Sequence, residues 1–182
     1  LSFLINGVSS ITYNCGDVGT FPVTMTVIDQ AGNSDDCTAM ITVEDNVAPN
    51  AICQDITVSL DESGIAIITA ADIDNGSNDS CGIASMSLDI NTFSCSDMGE
   101  NTVVLTVTDN NGNSATCSAT VTVQDVMVPT AICQNVDVEL GEDGTLMIAA
   151  SMFNGGSTDN CTPSDSLGLT VNGMDSLLLD CM

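Results

Sequence analysis

CSDMGENTVVLTVTDNNGNSATCSATVTVQDVMVP, from Cys95 to Pro129, decides the fold, because an earlier copy of it runs from Cys15 to Pro49, displaced by 80 positions. In each copy a Cys leads through a Gly to an alternating apolar stretch, a D-x-x-G-N-S turn, a second Cys-led alternating stretch and an acidic linker ending in Pro. Cys15, Gly19, Val27, Asp29, Gly32, Asn33, Ser34, Cys37, Val43, Asp45 and Pro49 return as Cys95, Gly99, Val107, Asp109, Gly112, Asn113, Ser114, Cys117, Val123, Asp125 and Pro129. Outward from the linker, AICQDITVSL (Ala51 to Leu60) returns as AICQNVDVEL (Ala131 to Leu140), Gly64 as Gly144, and NDSC ending at Cys81 as TDNC ending at Cys161. A fixed period of this length marks an array of like units.

A second self-match places LSFLINGVSSITYNC at the start on LGLTVNGMDSLLLDC near the end, with Asn6-Gly7 on Asn172-Gly173 and Cys15 on Cys181. The expected organisation is therefore the back half of one domain in residues 1–47, a complete domain in 48–127, and the front part of a third in 128–182. We expect a segment of a longer repetitive polymer, its missing halves supplied by continuing chain or by neighbouring subunits.

Within the unit, Val103, Leu105 and Val107, then Ala119, Val121 and Val123, alternate with polar residues, chiefly Thr, as half-buried antiparallel strands do. The first copy repeats the pattern at Val23, Met25 and Val27 and at Ala39, Ile41 and Val43, which are expected to face the core. Ile56, Val58 and Leu60 form another inward face, the turn Asp61 to Gly64 leads into Ile65 to Ala70, and Ala84 to Ile90 and Thr92 to Cys95 are shorter strands. Asn6-Gly7 is a hairpin signal, since both positions tolerate positive φ. ADIDNGSNDSCG, Ala71 to Gly82, is a long acidic loop without strand pattern, and no helical period is present. The expected fold is all-β: immunoglobulin-like β-sandwich domains of about 80 residues in tandem.

Twenty-five acidic residues face no Lys, Arg or His, a formal charge of −25. That excludes nucleic acid as a partner, and self-repulsion on this scale points to a saline or calcium-containing setting. Disorder is the other reading of such charge, but 43% hydrophobic residues in strand patterns favour a folded chain. Nine cysteines without a C-x-x-C pair read as a disulfide framework in an oxidising, extracellular compartment, and no membrane-inserting run is present in this segment. Small aliphatic cores need such staples. Cys53 heads the first strand of the complete unit and Cys117 the last, which run side by side in such sandwiches, so we expect a Cys53–Cys117 bond and a second bond between Cys81 and Cys95. Each is worth roughly 3 to 4 kcal/mol on chain-entropy grounds.

The stretch TVVLTVTDNNGNSATCSATVTV, with the upstream D-x-C, resembles the hyalin repeat, an extracellular immunoglobulin-like module, and the resemblance covers all three units. It implies tandem arrays in secreted or cell-surface proteins, roles in adhesion, and no catalytic activity. The third unit departs from the pattern, with Met152, Phe153 and Asn154 where Asp72, Ile73 and Asp74 stand, and six extra residues before Cys181.

Calcium at the domain junctions is the sharpest chemical expectation, since hard cations take carboxylate, amide and carbonyl oxygens. The linker, the acidic loop and the last hairpin turn are expected to gather Asp45, Asn46, Asp72, Asp74, Asn75, Asp79, Asp109 and Asn111 at one end of the sandwich. The linker EDNVAPN also resembles the calcium-stiffened linkers of cadherins. The bland reading is that Asp, Asn and Gly are what turns require. Asn75, Asn78 and Asn160 stand in N-x-S/T glycosylation motifs. Carboxylates that recur in every unit are not expected to form an active site. The function expected is a structural repeat segment of an extracellular fibre or cell-surface stalk with itself as partner. The alternative is an adhesin whose acidic loops, chiefly Ala71 to Gly82, bind surface glycans or proteins.

Overall fold

The computed structural model describes residues 2–180. In chain order its strands are β1 (Ser2–Ile5), β2 (Gly19–Ile28), β3 (Ser34–Val43), β4 (Ile56–Ser59), β5 (Ile65–Ile67), β6 (Ile83–Leu88), β7 (Thr92–Ser94), β8 (Gly99–Asp109), β9 (Ser114–Gln124), β10 (Thr145–Ala149) and β11 (Ser176–Asp180). The fold is all-β. Among the described residues helix is limited to α1 (Ala70–Ile73) and single 3-10 turns at Cys15–Asp17, Cys95–Asp97 and Ala150–Phe153. Among the described residues no helix is long and apolar enough to cross a membrane. α1 falls at the start of the loop that was expected to be irregular. A capping box makes it: Asp72, three residues beyond Thr69, accepts from both the Thr69 amide and its hydroxyl at 2.7 Å.

Two compact units divide the chain. The first comprises Leu1–Gln54, Thr69–Ile90 and Val103–Ala119. In it β1, β2 and β3 form an antiparallel sheet in that order, β2 meeting β3 in unbroken register from Gly19 opposite Val43 to Ile28 opposite Ser34. β6 runs antiparallel to β8, with Met86 opposite Val107 and Leu88 opposite Leu105. Alternation along β8 buries Val103, Leu105 and Val107, which join Ile73 and Ala119 as this unit's buried apolar residues.

The second unit comprises Asp55–Ile68, Asn91–Thr102 and Thr120–Met182. Here β4 lies parallel to the end of β9, Ile56 opposite Val121 and Ser59 opposite Gln124, so the first and last strands of the 48–127 segment are neighbours as expected. β5 pairs antiparallel with β7 and β10 with β11. Leu60, Ala66, Ile68, Phe93, Val121, Val123, Ile148 and Ala150 are buried.

Asn6 and Gly7 take φ of 48° and 81° and close a tight turn bridged between Ile5 and Val8, and Asn172-Gly173 does the same between Val171 and Met174. The turns form as their composition requires, although no strand continues beyond Val8 in the first of them. One expectation fails in the first copy: Ala39 and Met25 are exposed and Val23, Val27, Ile41 and Val43 only half-buried. Their counterparts 80 positions on are at most 3% exposed.

Candidate functional site

Three disulfides join Cys15 to Cys81, Cys53 to Cys117 and Cys95 to Cys161, with Cα separations of 5.1, 5.8 and 5.3 Å. The Cys53–Cys117 bond is the one expected from strand adjacency. The expected Cys81–Cys95 bond is not made. From Cys81 the chain leaves along β6, six residues and roughly 20 Å of extended backbone, before it reaches the β7 that ends beside Cys95. Each sulfur meets instead a cysteine 66 positions away. Cys15–Cys81 and Cys95–Cys161 are the same bond displaced by one period.

Local sequence builds both ends of this staple. Cys15 and Cys95 each open a 3-10 turn whose third residue reaches back to the cap: Asp17 accepts from the Asn14 amide at 2.8 Å, and Asp97 from the Ser94 amide at 2.8 Å. Cys81 and Cys161 each follow an Asp by two residues, and their amides donate to Asp79 at 2.7 Å and Asp159 at 3.0 Å. The D-x-C motif is thus an Asx turn that aims a sulfur.

Around each staple the AICQ segment and the acidic loop are joined through backbone. Asn50 exchanges hydrogen bonds with Asn78 at 2.8 and 3.1 Å, and Thr130 with Thr158 at 2.7 and 3.0 Å. Bridges Cys53–Asp74 and Cys133–Asn154 repeat the next contact. Ile52 donates to Ser77 and Ile132 to Ser157, both at 2.9 Å, while Gln54 and Gln134 donate to the carbonyls of Asp72 and Met152 at 3.0 and 2.9 Å. Because the contacts are accepted by backbone carbonyls or by the serine that both loops share, the change from Asp72-Ile73-Asp74 to Met152-Phe153-Asn154 leaves them intact. The loop Ala71 to Gly82 is thereby tied down along its length. At the second junction the Asn160 amide donates to the Asp61 carbonyl at 3.1 Å. Gly64 there has φ +72°, and a Cβ on it would stand 2.6 Å from the Cys95 sulfur, so only glycine fits.

Most of the expected metal ligands are engaged in turns. Asp72 caps α1, and the Thr69 hydroxyl and amide hold its carboxyl below the usual value. Asp74 accepts from the Ser77 amide at 2.9 Å and is held low by Ser77 and Gly76. Asp109 is 1% exposed. Burial pushes its carboxyl up, but the Asn113 side chain at 2.8 Å and the amides of Asn111, Asn113 and Gly112 outweigh that and hold it low. Asn46 donates to Glu44 at 3.2 Å, and Asn75 and Asn111 are exposed. Asp45 and Asp79 alone are brought together, their carboxylate oxygens within 4.8 Å of each other and of the Cys81 sulfur, which the disulfide occupies. Asp45 is placed by Asn113, which donates to its carbonyl at 3.0 Å, and its Oδ2 is buried without a hydrogen-bond partner. A buried carboxylate oxygen in a chain without any cationic side chain fits a hard cation. Of the glycosylation motifs, Asn75 and Asn78 are exposed, whereas the Asn160 amide is spent on Asp61.

The sequence reading missed Cys15 and Cys161 as partners. The available signal was the period itself: Cys15 and Cys95 occupy one position of the repeat and Cys81 and Cys161 another, so the partner of each lies equally well one unit away. Comparison of the chain with protein-family models returns no match, and comparison with the curated proteins returns none.

Proposed function

We propose that the chain is a load-bearing segment of an extracellular fibre or surface stalk, built of hyalin-repeat-like, immunoglobulin-like domains in tandem, whose successive repeats are clasped covalently. One observation carries this: Cys15–Cys81 and Cys95–Cys161 are a period apart and each links a repeat to the next. The shortest covalent path through the chain follows residues 1–15, 81–95 and 161–182, bypassing residues 16–80 and 96–160. Tension along the fibre then falls on three short segments and two sulfur bridges while the strands between them bear none. An oxidising compartment, which three disulfides fit, keeps the clasps closed. Calcium belongs to the same reading as a brace held by Asp45 and Asp79, neutralising two carboxylates where linker and acidic loop meet.

Single-molecule extension of the full chain tests the load path. Each clasp withholds 65 residues, 16–80 and 96–160, so reduction is expected to release about 440 Å of contour in all, at roughly 3.4 Å per residue. An oxidised chain that already extends to its full contour overturns the proposal.

A further inference from the structure

Within the first unit one side-chain amide joins two groups that lie far apart in sequence. Asn113 donates to the carboxylate of Asp109 at 2.8 Å and to the backbone carbonyl of Asp45 at 3.0 Å. Asp109 is 1% exposed, so the hairpin turn that carries Asn113 is anchored from within, and the amide it presents fixes the linker. Asp45, so placed, has a carboxylate oxygen within 4.8 Å of both an Asp79 carboxylate oxygen and the Cys81 sulfur. Asp79 is held there separately, since the Cys81 amide donates to it at 2.7 Å. Among the described residues no other disulfide sulfur joins two carboxylates in such a group.

That placement bears on how the Cys15–Cys81 bond can be opened. A thiolate attacks a disulfide sulfur, and negative charge spreads over three sulfurs as one S–S bond forms and the other breaks. Cys81 is one of the three whichever sulfur is attacked. Attack on Cys81 brings the charge in, and attack on Cys15 sends it out on Cys81 as the leaving group. The two carboxylates beside Cys81 oppose both routes, and the chain has no Lys, Arg or His to offset them.

We propose that Asp45 and Asp79 guard the Cys15–Cys81 bond against small thiolates, with Asn113 as the positioning residue that holds the linker carboxylate against the sulfur. The reaction they slow is ordinary thiol–disulfide exchange. A first thiolate bonds one cysteine as a mixed disulfide and releases the other cysteine as a thiolate. A second thiolate then displaces the remaining protein sulfur, and the two small thiols leave joined as their own disulfide. The cysteines gain two electrons and, from water, two protons. The bond is thereby made selective: a thiol that carries further negative charge is turned away most, and one that carries an ammonium group least. The guard belongs to the bond itself and does not rest on the load that the fibre reading places on it.

The test follows initial rates of reduction of the Cys15–Cys81, Cys53–Cys117 and Cys95–Cys161 bonds in the full chain by cysteamine, 2-mercaptoethanol and glutathione, in EGTA at low salt. Alkylation, cleavage at acidic residues and mass spectrometry report each bond, since trypsin has no site. Dividing the Cys15–Cys81 rate by the other two in the same tube cancels each reagent's own reactivity and the overall charge of −25. The ratio is expected to fall from cysteamine through 2-mercaptoethanol to glutathione, and the trend to flatten in 1 M salt, where the screening length is about 3 Å. D45N is expected to raise the glutathione ratio about three- to tenfold and the cysteamine ratio less than about twofold. N113A moves the ratio in the same direction, and D125N, at the matched linker position, leaves it unchanged. A ratio indifferent to reagent charge in the unaltered chain overturns the guard without recourse to any variant. A D45N chain that reacts faster with all three reagents alike assigns Asp45 to structure alone and overturns it as well.

Discussion

β2–β3 and β8–β9 are one hairpin written twice, and they differ in what covers them. Both turn the chain the same way: Asp29 donates to Asn33 at 2.9 Å and Asp109 to Asn113 at 3.0 Å, and Gly32 and Gly112 take φ of 89° and 95°. Yet Leu105 is fully buried and its counterpart Met25 is 37% exposed. A hairpin is a local object, fixed by turn chemistry and alternation. A core is not, because an apolar face stays wet until a second layer arrives. The comparison separates what a strand pair specifies by itself from what it requires of a neighbour.

The largest expected effect breaks the comparison at its centre. Leu105→Ala removes a fully buried side chain and is expected to cost about 2–5 kcal/mol in chemical denaturation. Met25→Ala at the matched position is expected to cost about 1 kcal/mol or less, since much of that side chain already meets solvent. Equal costs would mean that the first hairpin is covered in solution.

The two junctions sharpen it next. At the first, Asp45 Oδ2 is buried without a partner beside Asp79. At the second, the counterparts Asp125 and Asp159 form no such cluster among the described residues, and no oxygen of either is buried without a partner. Calcium is therefore expected to stabilise the chain through the first, by about 2.7 kcal/mol at a hundredfold excess over its dissociation constant. Asp45→Asn is expected to abolish the shift in Tm on chelation, and Asp125→Asn to preserve it. An identical melt in calcium and in EGTA removes calcium from the fold.

Strand content was legible in the sequence because alternation and turn residues act over a few positions. The alternation places Val103, Leu105, Val107, Ala119, Val121 and Val123 in a core, and all six are buried. The same pattern points Ala39 and Met25 inward, yet both are exposed, since nothing in the pattern states whether a covering layer lies against them. Disulfide partners divided likewise. Cys53–Cys117 follows from the adjacency of β4 and β9, whereas Cys15–Cys81 depends on how one repeat meets the next, and a periodic sequence has no local signal for that. Asp72 and Asp74 were candidate ligands because capping and metal binding draw on the same residue types, and only geometry separates the two uses.

The smallest effect is the finest test, because Asp29 and Asp109 make the same bonds in different surroundings. Each accepts from the Asn33 or Asn113 amide and side chain at 2.8 Å, but Asp109 is 1% exposed and Asp29 lies open to solvent. The Asn33 side chain leads in holding Asp29 below its ordinary value of 3.8, and at Asp109 the hydrogen bonds win over burial to the same end. A carboxyl whose folded value lies below its unfolded one stabilises the fold above the unfolded value and loses that contribution as pH falls through the folded value. Asp109→Asn is therefore expected to lower Tm by several degrees at neutral pH, with the gap to the unaltered chain closing as pH falls below 3.8. Asp29→Asn is expected to give a much smaller gap over the same range. Neutralisation of the remaining carboxylates moves the variant and the unaltered chain together, so the difference between their melts isolates the one group. A gap at Asp109 that persists unchanged in acid would assign its role to shape and packing rather than to charge.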